Sequence, residues 1–321
     1  MITKEQVKIF DEKIRAAGSI ILCAHKNPDG DAMCSMLALA HLIETNYNKD
    51  VVCTYDGNIP DNLDDIPLRK RARYFERIEN DTPFDVAIVL DYGIEKNIGG
   101  PQKFVKDAGF IIEIDHHINN EKIGALCIDD TNAAATAEII YNLMISAGWT
   151  YDLTTARLIM TGIVTDTGCF KYAKRGDVMR VAANLIEYGV DIQRIVNELA
   201  NKPRRTVVTE AASVGATEFF YKNKLAIAVI DAAQYKHIDG RGETALNLLG
   251  QMRGLAYIVL LKEQKPNKIG VSLRGRLGYP VEKFAVALGG GGHEYAAGAV
   301  VEDTLENVKK RVLDLFKGGI K

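Results

Sequence analysis

The chain has 321 residues, 47% of them hydrophobic and 26% charged, values of an ordinary globular protein that exclude disorder, collagen and coiled coil as the main architecture. At roughly 150 residues per domain, this length predicts about two domains. Its 42 acidic and 40 basic residues leave a formal charge of -2, which excludes a duplex-binding protein driven by bulk positive charge, so a nucleic-acid partner must be short, or held by a local patch or by metal ions.

In chain order, Val7, Phe10, Ile14 and Ala17 fall near one face of a helix over residues 4–17. The apolar run Ser19–Ala24 predicts a buried strand, Ala32–Leu42 a helix and Val51–Tyr55 a second strand. Asp85–Leu90 and Phe110–Ile114 predict two more strands, separated by the breaker Gly99-Gly100-Pro101 and a short helical stretch. Thr131–Ala147 and Thr154–Val164 read as helices. Strands alternating with helices predict an α/β fold with a largely parallel N-terminal sheet.

After residue 186 the pattern changes. A helix over Asp191–Glu198 is followed by the polar, proline-containing segment Asn201-Lys202-Pro203-Arg204-Arg205. We place domain one at 1–186, a linker at 187–210 and a smaller α+β domain at 211–321. Strands are predicted over Leu225–Ile230, Ala256–Lys262 and Lys268–Leu273, a last strand after the glycines Gly289–Gly292, and an amphipathic helix over Leu305–Phe316.

The cysteines Cys23, Cys34, Cys53, Cys127 and Cys169 are odd in number and contain no C-x-x-C, which disfavours a disulfide scaffold or zinc knuckle and fits reduced thiols in a cytoplasmic protein. The first residues are charged, without an apolar core of signal-peptide length. No stretch has the 18 consecutive apolar residues of a membrane span.

Chemistry-bearing residues gather after the strands. His25, Asp29 and Asp31 follow the first; Pro28-Asp29-Gly30 alone is also a common turn sequence. Asp91 ends the strand Ile88-Val89-Leu90, where a helix cap is the plainer reading. Asp115-His116-His117 follows Ile111–Ile114, and Asp166 follows the helix ending at Val164. The set says more than its members. In open parallel sheets, ligands collect at the carboxyl ends of strands. Clustered carboxylates cannot all ionise cheaply without a compensating cation, and mixed oxygen and imidazole donors suit Mn²⁺ or a similar divalent ion. Six candidate ligands, His25, Asp29, Asp31, Asp91, His116 and Asp166, exceed one tetrahedral site. They fit two metals bridged by a carboxylate, the arrangement used in phosphoester hydrolysis.

These motifs, in this order, resemble those of the DHH phosphoesterase family, which takes its name from the triplet at Asp115-His116-His117. Gly289-Gly290-Gly291-Gly292-His293 with Ala296-Ala297-Gly298 resembles the signature of its associated nucleotide-binding C-terminal domain. The resemblance covers essentially the whole chain, most closely the short-oligonucleotide hydrolases and pAp phosphatases (pAp is 3′-phosphoadenosine 5′-phosphate). It implies that His25, Asp29 and Asp91 hold one metal, and that Asp31, Asp91, His116 and Asp166 hold the other, with Asp91 bridging. It places His117 either behind the metal ligands or against the scissile phosphate, and makes Ser272, Arg274, Gly290, Gly291, Gly292 and His293 substrate contacts. It implies Mn²⁺, with Mg²⁺ or Co²⁺ as alternatives, a single-stranded oligonucleotide, dinucleotide or pAp substrate, no membrane partner, and dimers through the N-terminal domain. Cys34, Gly275 and Glu294 depart from the family pattern.

Two other functions are consistent with the residues: hydrolysis of pyrophosphate or polyphosphate, and nucleotide sensing by an inactive metal site. Physically, four consecutive glycines let backbone N–H groups approach an anion, and a following helix would add its dipole. Arg274 offers a forked phosphate donor; Arg276, His41, His237 and Trp149 read as structural or surface residues. The basic stretch Lys171–Arg175 after Phe170 reads as a solvated face, with base stacking as the lesser option.

Overall fold

A computed structural model describes residues 2–79, 82–118, 121–173, 175–238 and 242–317. Lys174 of the basic stretch and Asp239 beside His237 lie outside the described residues. The chain divides into two compact units, residues 1–201 and 202–321. The division falls inside the segment 187–210, most of which is helical and belongs to one unit or the other.

The first unit contains strands β1 (Ile20–Ala24), β2 (Val51–Tyr55), β3 (Ala72–Tyr74), β4 (Val86–Leu90), β5 (Phe110–Asp115) and β6 (Leu126–Asp129). Its helices are α1 (Lys4–Ala16), α2 (Gly30–Tyr47), α3 (Gln102–Lys106), α4 (Thr136–Ala147), α5 (Leu153–Asp166), α6 (Gly176–Glu187) and α7 (Ile192–Ala200). The strands form a six-stranded sheet in the order β3-β2-β1-β4-β5-β6, and every neighbouring pair is parallel. The central strands β1 and β4 are buried along their whole length, which explains their unbroken apolar runs. The order reverses between β1 and β4, the place where ligands bind in open parallel sheets.

Register carries the sequence motifs to that place. Ala24 pairs with Leu90 and Leu90 with Ile114, so His25, Asp91 and Asp115 stand on adjacent strands at one edge. Helix α2 is buried from Gly30 to Ala40, as a helix apolar on all sides must be. It packs against α5, where a Cβ on Gly162 would lie 2.7 Å from Ala137 Cβ and 2.9 Å from Asp31 Oδ1; glycine there lets the helices close around the Asp31 carboxylate.

The second unit contains helices α8 (Arg204–Gly215), α9 (Ala232–Tyr235), α10 (Glu243–Gly250), α11 (Glu282–Ala287) and α12 (Leu305–Lys317). Its strands are β7 (Glu218–Phe220), β8 (Leu225–Ile230), β9 (Tyr257–Lys265), β10 (Lys268–Gly275), β11 (Gly291–His293) and β12 (Ala296–Glu302), in the order β11-β12-β10-β9-β8-β7. Only β8 and β9 are parallel, joined through α9 and α10; the other neighbours are antiparallel. Val308, Val312 and Phe316 of α12 pack into the core of this sheet, as their helical spacing predicts.

Particular expectations need correction. The helix expected over 131–147 begins only at Thr136, because its first-turn N–H groups turn to the Asp31 carboxylate, described below. The glycines Gly289–Gly292 precede the last strand, β12, as expected, but Gly291 and Gly292 themselves form β11 in a hairpin with it, so no helix follows the run directly. A Cβ on Gly290 would lie 2.0 Å from the Gly298 carbonyl oxygen, so close backbone approach within the hairpin already requires glycine there. No helix dipole adds to any anion site at this run. Strands β3, β6, β7 and β11 and helices α6 and α8–α11 lie outside the elements expected from the sequence; β3 and β6 have 3 and 4 residues, too short for a clear period.

Candidate active site

Asp29 is not part of a solvated turn. It is the N-cap of α2, its Oδ1 accepting from the N–H groups of Asp31 (3.0 Å) and Ala32 (3.1 Å). The cap fixes where α2 starts and so aims the first-turn residue Asp31 inward. Asp31 is fully buried. Its carboxylate accepts from Thr136 N (2.6 Å), Ala137 N (2.9 Å) and Ser35 Oγ (3.0 Å). The N-cap residue of α4 is Ala135, which has no capping side chain. Asp31 supplies the missing cap from 105 residues away in sequence.

Asp91 is not a helix cap. It stands just past β4 with φ at +56°, a left-handed conformation that Asp tolerates better than most residues. It is buried, and its Oδ1 accepts from the Thr136 hydroxyl at 3.0 Å. The same oxygen lies 3.5 Å from His116 Nε2 and 3.5 Å from His117 Nδ1. Asp166, expected just past a helix ending at Val164, is the last residue of α5, and its Oδ2 also lies 3.5 Å from His116 Nε2. His25 Nε2 is 3.9 Å from Asp29 Oδ1.

The structure therefore gathers His25, Asp29 and Asp91 in one group and Asp31, Asp91 and His116 in another, donor atoms within 4.8 Å of one another in each. Asp91 belongs to both. Separations of 3.5 Å are long for hydrogen bonds and short enough for two atoms to face one cation.

The charges agree. Burial, then the charge of Asp91, pushes the Asp31 carboxyl up to about 7. Burial raises Asp91 as well, with Asp29 next; burial, then the charge of Asp31, raises Asp166 well above the ordinary carboxylate range. Burial pulls His25 down, but the neighbouring Asp29 carboxylate and the charge of Asp91 outweigh it and hold the imidazole up at about 9. Such a buried set of carboxylates favours cations, whether protons or metal ions. Oxygen and imidazole donors, without thiolate, fit a divalent ion of the Mg²⁺ to Mn²⁺ kind.

Asp115 plays a different part. Its Oδ1 accepts from His117 N (2.9 Å) and sits 2.8 Å from His117 Nδ1, while Oδ2 accepts from Gly93 N at 2.7 Å. Burial opposes ionisation, but these hydrogen bonds and the His117 charge hold the Asp115 carboxyl down at about 2. An ionised Asp115 has no proton to give, so Nδ1 of His117 donates, and the ring is held in one orientation.

A further group, Glu113, Cys127 and Asp129, also has donor atoms within 4.8 Å of one another. Here the Lys122 ammonium stands 2.7 Å from Asp129 Oδ2 and 3.4 Å from Glu113 Oε1, so a side-chain cation already answers this group. Among the anticipated bystanders, Trp149 packs on Phe10 and Tyr47 and His41 pairs with Asp152 at 3.1 Å. Arg276 donates to the carbonyls of Gly250 and Met252.

In the second unit, Ser272 and Arg274 lie on β10, opposite Gly298 and Ala296 of β12. Arg274 Nη2 is 3.2 Å from Glu243 Oε1. Gly291, Gly292 and His293 form β11, exposed, with Gly290 just before it. Sequence reasoning missed Thr136, Ser35 and Glu113. The first two are ordinary helix residues whose one signal, a hydroxyl near a helix start, points to capping and not to carboxylates on other elements.

Residues 19–163 match the family model "DHH family, N-terminal domain", and residues 222–321 match the DHHA1 domain. The chain is 30% identical over 320 residues to the bifunctional oligoribonuclease and PAP phosphatase NrnA of Thermus thermophilus, an alignment covering 98% of this chain and 94% of that protein. It is 26% identical over 297 residues to the protein of the same name from Bacillus subtilis, covering 88% and 89%. The crystal structure of an exopolyphosphatase-related protein from Bacteroides fragilis shares the fold, with a TM-score of 0.90 at 23% identity over 100% of this chain and 98% of that one. Domain matches, motif order and site geometry converge: the chain belongs to the DHH family, in the two-domain form that carries a DHHA1 domain, a family of divalent-metal-dependent phosphoester hydrolases.

Proposed function

We propose that this chain hydrolyses the phosphoester bonds of short oligoribonucleotides, linear dinucleotides among them, and of pAp, releasing mononucleotides in the cytoplasm, with Mn²⁺ as its metal. The names of the Thermus thermophilus and Bacillus subtilis relatives support the substrate class. One observation carries the chemistry: Asp91 is shared by the His25–Asp29 group and the Asp31–His116 group. In this reading His25, Asp29 and Asp91 hold one ion, and Asp31, Asp91, His116 and Asp166 hold the other. Two divalent ions there supply a water of lowered pKa and neutralise charge on the phosphate.

The chain's own residues do the rest. Asp29 and Asp31 are set by the α2 cap, so their geometry is built before substrate arrives. His117 is raised above its usual pKa: burial lowers it, and the Asp115 hydrogen bond and Asp91 charge outweigh burial. It holds its proton more firmly than a free imidazole does, which suits it to donate a hydrogen bond to a phosphate or leaving-group oxygen. No protein nucleophile is invoked. Ser272, Arg274, Gly290, Gly291, Gly292 and His293 would bind the nucleotide and its phosphate, Arg274 through its forked donors.

The test is parallel hydrolysis of a 5′-phosphorylated diribonucleotide, pAp and pyrophosphate, each with Mn²⁺ and with chelator, beside Asp91→Ala. Metal-dependent cleavage of the dinucleotide or pAp, lost in the variant, supports the proposal. Turnover of pyrophosphate alone moves the chain to phosphoanhydride hydrolysis, and no turnover by the metal-loaded protein points to a nucleotide sensor.

A further inference from the structure

Thr136 joins the two donor groups physically. It is completely buried. Its backbone N–H donates to Asp31 Oδ2 at 2.6 Å, and its hydroxyl donates to Asp91 Oδ1 at 3.0 Å. The two bonds have separate causes. The N–H bond is a helix-terminus interaction: Thr136 is the first residue of α4, Ala135 offers no cap, and any residue at 136 would present the same N–H. The hydroxyl bond belongs to the side chain alone. A threonine inside a helix returns its hydroxyl to the carbonyl four residues back, as Thr161 and Thr165 do in α5. At the first position of α4 no helical carbonyl precedes it, so the buried hydroxyl needs another acceptor. That acceptor is Asp91, 45 residues away in sequence.

Asp91 needs such a partner. Its backbone is in the left-handed region, and its Oδ1 lies 3.5 Å from both His116 Nε2 and His117 Nδ1. Rotation about the Cβ–Cγ bond moves both carboxylate oxygens relative to the donor atoms of the two groups that share Asp91. We infer that Thr136 is a positioning residue for the divalent-metal site: its hydroxyl fixes the rotation of the Asp91 carboxylate, while its N–H fixes Asp31. This rests on the proposed ligation by Asp91. Groups that orient metal ligands typically contribute about 10- to 100-fold in metal affinity.

The experiment is calorimetric titration of Mn²⁺ into the full chain, stripped by chelator and desalted, for the parent, Thr136→Val, Thr136→Ser and Asp91→Asn. Valine keeps the shape and the N–H to Asp31 and deletes only the hydroxyl. The expected result is Mn²⁺ affinity about 10- to 100-fold weaker in T136V, restored to within roughly threefold in T136S, with the metal-free melting temperature of T136S near the parent's. A merely structural threonine would change melting and leave Mn²⁺ affinity alone. Parent-like affinity in T136V, with binding lost in D91N, overturns the role of Thr136. Parent-like affinity in D91N overturns the ligation by Asp91 and the inference with it. Should T136V fail to fold, Thr136→Ala makes the same deletion and is read in the same way.

Discussion

Tyr92, the residue after Asp91, donates its hydroxyl to Glu113 Oε2 at 2.9 Å, and Glu113 stands two residues before Asp115. The same oxygen accepts from Ile123 N and Gly124 N, each at 2.9 Å. Burial pushes the Glu113 carboxyl up, but the Gly124 and Ile123 N–H groups and the Tyr92 hydroxyl outweigh it and hold the group ionised. One buried carboxylate thus ties the segments after β4 and before β6 to β5. Glu113→Leu leaves these donors and the Lys122 ammonium without their shared acceptor, and should lower stability by about 3 kcal/mol or more, whereas Tyr92→Phe should cost on the order of 1 kcal/mol. Urea unfolding measures both; equal effects would show that Glu113 is not the centre of this network.

Asp91 is held where a carboxylate is costly. Because burial and then Asp29 raise its folded pKa, the ionised form opposes folding above its ordinary range, and the metal-free protein carries that cost at neutral pH. Asp91→Asn should therefore abolish Mn²⁺-dependent hydrolysis while raising the melting temperature of the metal-free protein. Relief on the order of 1 kcal/mol corresponds to roughly 2–4 °C. A lowered melting temperature would show that Asp91 is a structural residue first.

Metal binding must displace protons. His25 is held up at about 9 and Asp31 at about 7, so at pH 6 both carry protons that a divalent ion has to remove. Affinity for Mn²⁺ should rise steadily from pH 6 to pH 9. The metal-free protein should behave in the opposite sense. The raised His25 contributes stability that is full below about 6.5 and lost as pH rises through 9, and the raised Asp31 contributes stability that is full below about 3.8 and lost as pH rises through about 7. The increase in melting temperature on adding Mn²⁺ should thus grow with pH over this window. Titration in two buffers of different ionisation enthalpy should show net proton release; none would contradict the site assignment.

Arg274 should separate substrate binding from metal binding. Arg274→Ala removes the forked donors on β10 and changes none of the residues proposed as metal ligands. We expect KM for the diribonucleotide and pAp to rise by about tenfold or more, in line with about 1.5–3 kcal/mol for a hydrogen bond to a charged group, with Mn²⁺ affinity unchanged. A drop in kcat alone would place Arg274 in the chemistry instead.

The local signals in the sequence were strong where a short window suffices. Buried parallel strands such as Ile20–Ala24 and Val86–Leu90 announce themselves as continuous apolar runs, and the acid or imidazole residue after each run marks the strand end. That was enough to collect His25, Asp29, Asp31, Asp91, His116 and Asp166 as one candidate set, and the periodicity of Leu305–Phe316 was enough for α12. What required the tertiary structure was whatever depends on partners far apart in the chain. The strand order β3-β2-β1-β4-β5-β6 puts β1 beside β4 rather than next to its successor alone, and nothing in either strand encodes its neighbour. Helix α4 starts at Thr136 because Asp31 caps it, an interaction invisible in the window 131–147. Thr136 and Glu113 are ordinary residues by composition. Folding gave them their roles, because a buried hydroxyl and a buried carboxylate must each find partners, and only the folded chain determines that those partners are Asp91 and Tyr92.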